Sequence, residues 1–447
     1  MADLQFAGDY ELENILVYAA STQGSLDIKP LLLELNIYES IFSPNITGSL
    51  TIADTTNHLQ NVPFKGQEEL EFKFGIPDNE QIDFTRHRVR VTKVSNVNRV
   101  EERQQVYTVH FTSQEALTNQ KERVMQAYEG TTDQIVQRIL SDVIKTKKPV
   151  ITEASSLHCK LLGNSNHPFH FITEMLGKRS SSVDFHNQGF MFFENHRGYN
   201  FRSMSHMTHR DPGTERNVQE SFIVQPSRRD QSIAEDMQTV LEYKIMKNQD
   251  VMAAINTGLV ASTNYNYDFS TKSFEKKLDN YINNFVEEVH TTIGKEIGSL
   301  FTTTPEASGG KTLFEFNDAK INVTTKDTKL HAQKEGDAKY DNSTGFQQLL
   351  DHVKLAHDQL KAKVTVFGNS NLAAGDMIHL RVPSYEPLDK NTTRIHDAFL
   401  SGRWLITNLV HTLNSTRYTT TFDCVRDSVE RPYTNNSLSI QESLNVD

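Results

Sequence analysis

The feature that most constrains this chain is a strand pattern that occurs twice. Near the N-terminus, Gly66 precedes an alternating run ending in Gly75-Ile76-Pro77, followed by Val91-Thr92-Lys93-Val94 and Tyr107-Thr108-Val109-His110-Phe111. Near the C-terminus, Gly375 precedes Met377 to Val382-Pro383, followed by Ile406-Thr407-Asn408-Leu409 and Tyr418-Thr419-Thr420-Thr421-Phe422. Order and type match, and loop lengths alone differ. Amphipathic strands converge on similar patterns, so coincidence is the competing explanation. The reading adopted is two copies of one small antiparallel β-barrel unit, about 310 positions apart. Two similar units in one chain let three chains present six quasi-equivalent surfaces, so a threefold object can dock on a sixfold ring.

Between the copies the period changes. Residues 27–117 alternate in short strands punctuated by Ser43-Pro44, Lys65-Gly66 and Pro77-Asp78-Asn79. From Thr131-Thr132-Asp133 the apolar residues Ile135, Val136, Ile139, Leu140, Val143 and Ile144 recur at helical spacing. A short helix is expected from Pro168, with Phe169, Ile172, Met175 and Leu176 on one face and Gly177 as its C-cap. A hairpin follows, Gly189–Phe193 against Tyr199–Met204. Strands resume at Phe222–Gln225 and Val240–Ile245, and a polar stretch then carries Phe274, Leu278, Tyr281, Ile282, Phe285 and Val289, spaced as an amphipathic helix. A further helix is expected over Gly345–Ala362, burying Phe346, Leu349, Leu350, Val353 and Leu360. The fold class is therefore α+β, mainly β, with two similar small antiparallel barrels, an α/β module between them and a helix-containing insertion in the second barrel. The expected boundaries are 1–119 for the first barrel, 120–216 for the module, 217–262 and 346–430 for the second barrel, 263–345 for the insertion and 431–447 for a tail.

Composition narrows the function. The 447 residues carry a net charge of −11, which argues against a general nucleic-acid binder but suits a surface that DNA slides past. The longest purely apolar run, Ile15–Ala20, is far shorter than the roughly 20 residues of a membrane helix, and the acidic start Met1-Ala2-Asp3-Leu4 lacks a signal-peptide pattern. Two cysteines, Cys159 in a polar stretch and Cys424 among apolar neighbours, exclude a cysteine-rich zinc module and fit a reducing cytoplasm.

The chemistry-bearing candidates are weak. His167/His170 and His206/His209 have i, i+3 spacing, with Asp184 or His186 as further ligands, but the surrounding turn residues make both pairs loop-like surface histidines. Glu68/Glu69 and Glu101/Glu102 read as solvated acids at strand ends. Gly309-Gly310-Lys311-Thr312 matches only the tail of a phosphate loop, and no Gly-x-Ser-x-Gly elbow occurs. Arg228-Arg229 is balanced by Asp230, Glu235 and Asp236, and Trp404 is assigned to packing. No catalytic, cofactor-binding or metal residue is assigned, and the chain is not read as an enzyme.

The residues that remain carry a resemblance. Asn36-Ile37-Tyr38-Glu39-Ser40-Ile41-Phe42-Ser43-Pro44-Asn45-Ile46-Thr47-Gly48-Ser49-Leu50, then Asp54 and Phe64-Lys65-Gly66-Gln67-Glu68-Glu69-Leu70, resemble the first barrel of the baseplate hub proteins of contractile-tailed bacteriophages. Phe190-Met191-Phe192-Phe193-Glu194 and Gly198-Tyr199-Asn200-Phe201-Arg202-Ser203 are similar to that family's middle module. Asn256-Thr257-Gly258-Leu259-Val260-Ala261-Ser262 with Asp268, Leu372-Ala373-Ala374-Gly375-Asp376-Met377-Ile378 and Ser401-Gly402-Arg403-Trp404-Leu405-Ile406-Thr407 resemble its second barrel. The resemblance implies a homotrimer whose barrels form a pseudo-sixfold ring between a hexameric tail tube and a trimeric spike, in a virion tail baseplate assembled in the host cytoplasm. Implied partners are the spike, the tube or tube-initiator protein, baseplate wedge proteins and the tape-measure protein, with DNA only in transit and no membrane. The alternatives are the base of a type VI secretion spike and a histidine-rich metal-dependent hydrolase.

Overall fold

The computed structural model describes residues 6–19, 24–55, 64, 66, 68–77, 79–101, 104–156, 158–184, 189–209, 218–225, 232–269, 271–281, 290–291, 298–299, 312–326, 355–384, 396–397 and 399–429. One path of hydrogen-bonded strands organises them. Its first half runs Leu32–Ser40, Thr47–Asp54, Gln104–Ser113, Val89–Glu101, Glu69–Glu71, Leu16–Tyr18 and Ser25–Asp27. Its second half runs Val240–Asn248, Leu360–Phe367, Tyr418–Arg426, Gly402–Asn414 and Met377–Arg381, with Val218–Ile223 beside the last. The first five strands of each half pair antiparallel in the same order. The sixth differs: Leu16–Tyr18 is antiparallel to its neighbour, whereas Val218–Ile223 is parallel.

The two ladders share irregularities as well as order. Thr92 is an extra residue between the pairs Lys93–His110 and Val91–Phe111, and Thr407 is an extra residue between Asn408–Asp423 and Ile406–Cys424. Each is a β-bulge, which re-aims a strand and twists it locally. In each, the threonine hydroxyl donates to the carbonyl across the bulge, Thr92 to His110 and Thr407 to Asp423, both at 3.2 Å. Leu33 and Leu241 are likewise extra residues, in the first strand of each ladder, at 43% and 39% exposure. The residues just before the bulged threonines also share their backbone bonds: Val91 N donates to Glu68 O and Ile406 N to Asp376 O. The match Val91–Val94 with Ile406–Leu409 is therefore in register. The match of Tyr107–Phe111 with Tyr418–Phe422 is two residues out, because the bulges align Val109 with Phe422. Alternating aromatic and threonine residues look alike after a shift of two.

Each ladder has its own apolar core. Phe72, Phe74, Tyr107, Val109 and Phe111 fill the first, and Trp404, Ile406, Leu409, Phe422 and Cys424 the second. Trp404 is fully buried and donates through Nε1 to Leu400 O at 3.2 Å. Between the ladders lies a helical and sheet module with a third core. Thr132–Arg138 continues into Ile139–Ile144, burying Ile135, Val136, Ile139, Leu140 and Ile144, and ends at Lys145 with φ 58°. Helical turns over Pro168–His170 and Phe171–Leu176 pack on the hairpin Phe190–Asn195/Gly198–Ser203.

Two expectations are corrected. Ser273–Asn280 is a strand antiparallel to Ala261–Asp268, which also pairs with Ile321–Lys326. Phe274 and Leu278 lie on one face of a strand just as they would on a helix, because a spacing of four satisfies both periods; both are exposed. Leu360–Ala362 begins a strand rather than ending a helix, and pairs on both edges. Cys159 is buried despite its polar neighbours, as is Cys424. Ile282, Phe285, Val289, the helix expected over 345–354 and the tail 431–447 lie outside the described residues.

Candidate assembly interface

The two ladders meet at one strand pair. Asn408–Asn414 runs antiparallel to Glu34–Ser40, with Val410 facing Tyr38 and Leu413 facing Leu35. Thr412 Oγ1 donates to Asn36 Oδ1 at 2.8 Å, Ser40 Oγ to Asn408 Oδ1 at 2.6 Å, and Ile41 N to Thr407 O at 2.9 Å. The ladder hydrogen bonds make this joint continuous with both sheets, so neither ladder turns independently of the other.

Polar side chains fasten the module into the same joint. Glu39, 2% exposed, accepts from His196 N at 2.8 Å, lies 2.9 Å from His196 Nδ1, and accepts from Ala374 N at 3.0 Å. It thereby connects the first ladder, the hairpin turn of the module and the loop before Met377–Arg381. Burial alone would raise its carboxyl; His196, His411 and the Ala374 amide outweigh this and hold it down at about 2. His411 is pushed down to about 3 by burial, with Glu39 pulling the other way. Arg197 makes a two-pronged pair with Asp376 at 2.9 and 3.0 Å and also donates to Asn371 O.

A second buried set lies where the module meets the first ladder. Lys148 Nζ is 2.7 Å from Glu115 Oε2 and 2.5 Å from Glu194 Oε1, and Glu194 Oε2 accepts from Ile46 N at 3.0 Å. Burial raises Glu194 despite Lys148; at the less buried Glu115 the lysine prevails and the carboxyl is lowered. Beside this set is a cleft of 410 Å³ with Arg86, His87, Arg88, Lys145, Lys147 and Lys148 in its lining. Arg88 is taken up by Glu69 and Glu71, and Lys148 by the two buried acids. The cleft is a basic spot on an acidic chain.

The histidine pairs chosen from the sequence lie on short helices, and His206 is within electrostatic reach of His209 and Asp184. His167 caps its helix and contacts Asn119 O at 2.9 Å, while His170 is exposed. His206 lies on the helix Met204–Thr208, its amide capped by Ser203 Oγ at 3.1 Å, and burial lowers its pKa; His209 is the C-cap. Both pairs thus sit at helix ends rather than in loops, because Pro168 and Ser203 supply N-terminal signals. Asp184 is exposed, and His186, Glu102, Arg228-Arg229, Asp230 and Gly309-Gly310-Lys311 lie outside the described residues. Glu68 is buried rather than solvated and accepts from Gly66 N at 2.9 Å, whereas Glu69 pairs with Arg88 and Arg90. Sequence reasoning missed Glu39, His196 and His411, which come from three segments far apart in the chain.

The joint uses one edge of each ladder and leaves the corresponding edges open. Lys93–Arg99 is the counterpart of Asn408–Leu413, with a further bulge at Asn96-Val97 that the second ladder lacks, and among the described residues no strand pairs with its outer edge. Val240–Asn248 is the counterpart of the strand holding Glu34–Ser40, and it ends the path of strands. Exposed apolar residues line both: Val97 at 52%, Val100 at 60%, Leu241 at 39% and Met246 at 50%. Long open edges with apolar side chains are sites of pairing with another chain.

The fold is similar to that of solved tail proteins. Over 94% of its length the chain matches a tail protein of Neisseria meningitidis MC58, covering 97% of that chain, with a TM-score of 0.50 and 8% identity. A 43 kDa tail protein of prophage MuSo2 from Shewanella oneidensis aligns over 93% of this chain and 99% of its own, at 10% identity and a TM-score of 0.49. In sequence, the chain is 20% identical over 429 residues to the probable baseplate hub protein gp334 of Vibrio phage KVP40, covering 93% of this chain and 95% of that protein. No known family profile matches the chain. The chain is thus similar in sequence to a probable baseplate hub protein and in fold to a phage-type tail protein.

Proposed function

We propose that this chain is the central hub of a contractile tail baseplate. Three copies form a ring, each ladder closing as a barrel, so that six quasi-equivalent barrels match a hexameric tube on one side and a trimeric spike on the other. In this reading residues 1–119 form the first barrel, 120–216 the module and 217–262 with 346–430 the second barrel; 263–345 decorates the periphery, towards the wedge proteins. A polar, acidic channel lets DNA pass, and the tape-measure protein reaches it from the tube. Assembly takes place in the host cytoplasm.

The observation that carries this reading is the joint and its two unused counterparts. The pairing of Asn408–Asn414 with Glu34–Ser40 joins the second ladder to the first within one chain. The same step between chains joins the first ladder of one copy to the second ladder of the next, through Lys93–Arg99 and Glu242–Asn248. The contact is head-to-tail, so it closes a ring when the rotation allows. Light scattering on the purified chain tests it: the expected mass is three times the 50.9 kDa of one chain. Val97→Pro, which removes an edge amide and bends the strand, is expected to yield folded monomer. A stable monomer, both alone and with the spike present, overturns the reading.

A further inference from the structure

We propose that Glu39, His196 and His411 bind a divalent transition-metal ion, of the zinc type, that staples the two ladders and the module together. The proposal concerns the joint inside one chain and stands whether or not chains associate. One donor atom from each of the three side chains lies within 4.8 Å of the others. The Nε2 atoms of His196 and His411 are both buried and have no hydrogen-bond partner. A buried polar atom left unpaired costs free energy, so it calls for an occupant.

A nitrogen of each histidine already has a neighbour that fixes its ring. His196 Nδ1 lies 2.9 Å from Glu39 Oε1, so the ion would take the place of the proton between these two atoms. His411 Nδ1 lies 2.7 Å from the Tyr418 hydroxyl, which can hold the ring in the tautomer that leaves the lone pair on Nε2, the third donor. A carboxylate offers about four lone-pair positions; the contacts to His196 N, His196 Nδ1 and Ala374 N use three at Glu39. Two imidazoles and one carboxylate oxygen make a borderline, nitrogen-rich donor set that suits zinc, nickel or cobalt over magnesium or calcium. A tetrahedral ion with bonds of about 2.0–2.1 Å spaces its ligands roughly 3.4 Å apart, so Glu39 Oε1 and His196 Nδ1, now 2.9 Å apart, would part by about half an ångström on loading. Glu39 is on the first ladder, His411 on the second and His196 on the module hairpin, so the ion would cross-link all three.

The test uses the full chain, stripped with chelator and then reloaded with zinc or cobalt. Expected are about one zinc per chain by elemental mass spectrometry, visible absorption of tetrahedral cobalt, and a higher melting temperature with metal than with chelator. His196→Gln/His411→Gln is expected to lose the absorption band and the melting shift, while His167→Ala/His209→Ala keeps both. Should the double glutamine variant not fold, as judged by circular dichroism and Trp404 fluorescence, Glu39→Gln is the second probe, with binding at least tenfold weaker. A folded wild-type chain that takes up neither metal overturns the proposal, as does uptake unchanged in the glutamine variants.

Discussion

Lys148 is where the module is held against the first ladder, and Lys148→Met tests how. The methionine keeps the stem and removes the charge. In the native chain the lysine side chain is 7% exposed, and its two carboxylate partners are 10% and 1% exposed. Removing one partner of a buried pair typically costs about 3–5 kcal/mol, because the other charge is stranded. Here two carboxylates are stranded side by side. Glu194 also accepts the Ile46 amide, the turn that positions Thr47–Asp54. At 1.4 kcal/mol per factor of ten, amide exchange at Ile46 should speed up by about 10² to 4 × 10³. The pH dependence has a definite sign. Lowered in the fold, Glu115 contributes stability that is present above the ordinary carboxyl pKa and fades as pH falls through its folded value. Lys148, raised in the fold, contributes below its ordinary pKa and fades as pH rises past its folded value. At neutral pH the Glu115–Lys148 pair is thus fully charged, while Glu194, raised by burial, contributes with the opposite sign. Without the lysine, both carboxyls move upward, and acid relieves the repulsion by protonating them. Hydrogen exchange by mass spectrometry should therefore show a larger deficit at pH 7.5 than at pH 5. A change at Ile46 under threefold, or one identical at both pH values, would refute the argument.

Other outcomes follow from the paired ladders. Thr92→Val and Thr407→Val each remove one hydroxyl bond of 3.2 Å across a bulge, so each should cost about 0.5–1.5 kcal/mol, similar in size, in denaturant titrations. A Cβ on Gly48 would sit 2.1 Å from Phe111 Cζ and 2.6 Å from Asn36 O, so Gly48→Ala should exceed the usual overpacking cost of about 1–3 kcal/mol. Its counterpart in the second ladder is already an alanine, buried Ala362, and Ala362→Gly should be milder in the same assay.

Much of the fold is legible in the sequence because alternation reports which face of a strand is buried. Val91-Thr92-Lys93-Val94 and Ile406-Thr407-Asn408-Leu409 were recognisable, down to the threonine that later proves to be the bulge. Leu32-Leu33-Glu34-Leu35-Asn36-Ile37 and Val240-Leu241-Glu242-Tyr243-Lys244-Ile245 were an equally good match, yet the second lies in a region of mixed polarity and passes unnoticed. Phe274 and Leu278 misled because their spacing fits either period. The polar joint was not legible at all. Glu39, His196 and His411 sit in ordinary local surroundings, and only the pairing of a late strand with an early one brings them together. The clustered histidines at 158–209, by contrast, drew attention through density along the chain, which says nothing about convergence in space.

The central claim is that the contact joining the ladders within a chain recurs between chains. Ser95→Cys/Lys247→Cys tests it directly under mild oxidation, since the native cysteines are buried. Tyr38→Cys/Val410→Cys is its counterpart inside one chain, at residues that face each other across the joint. Antiparallel neighbours have Cα separations within the roughly 4.4–6.8 Å that a disulfide spans, to about one residue of register. The account predicts covalent trimers from the first pair and cross-linked monomers from the second. Trimers by mass with no cross-link from Ser95→Cys/Lys247→Cys, nor from Asn96→Cys/Lys247→Cys, would contradict it.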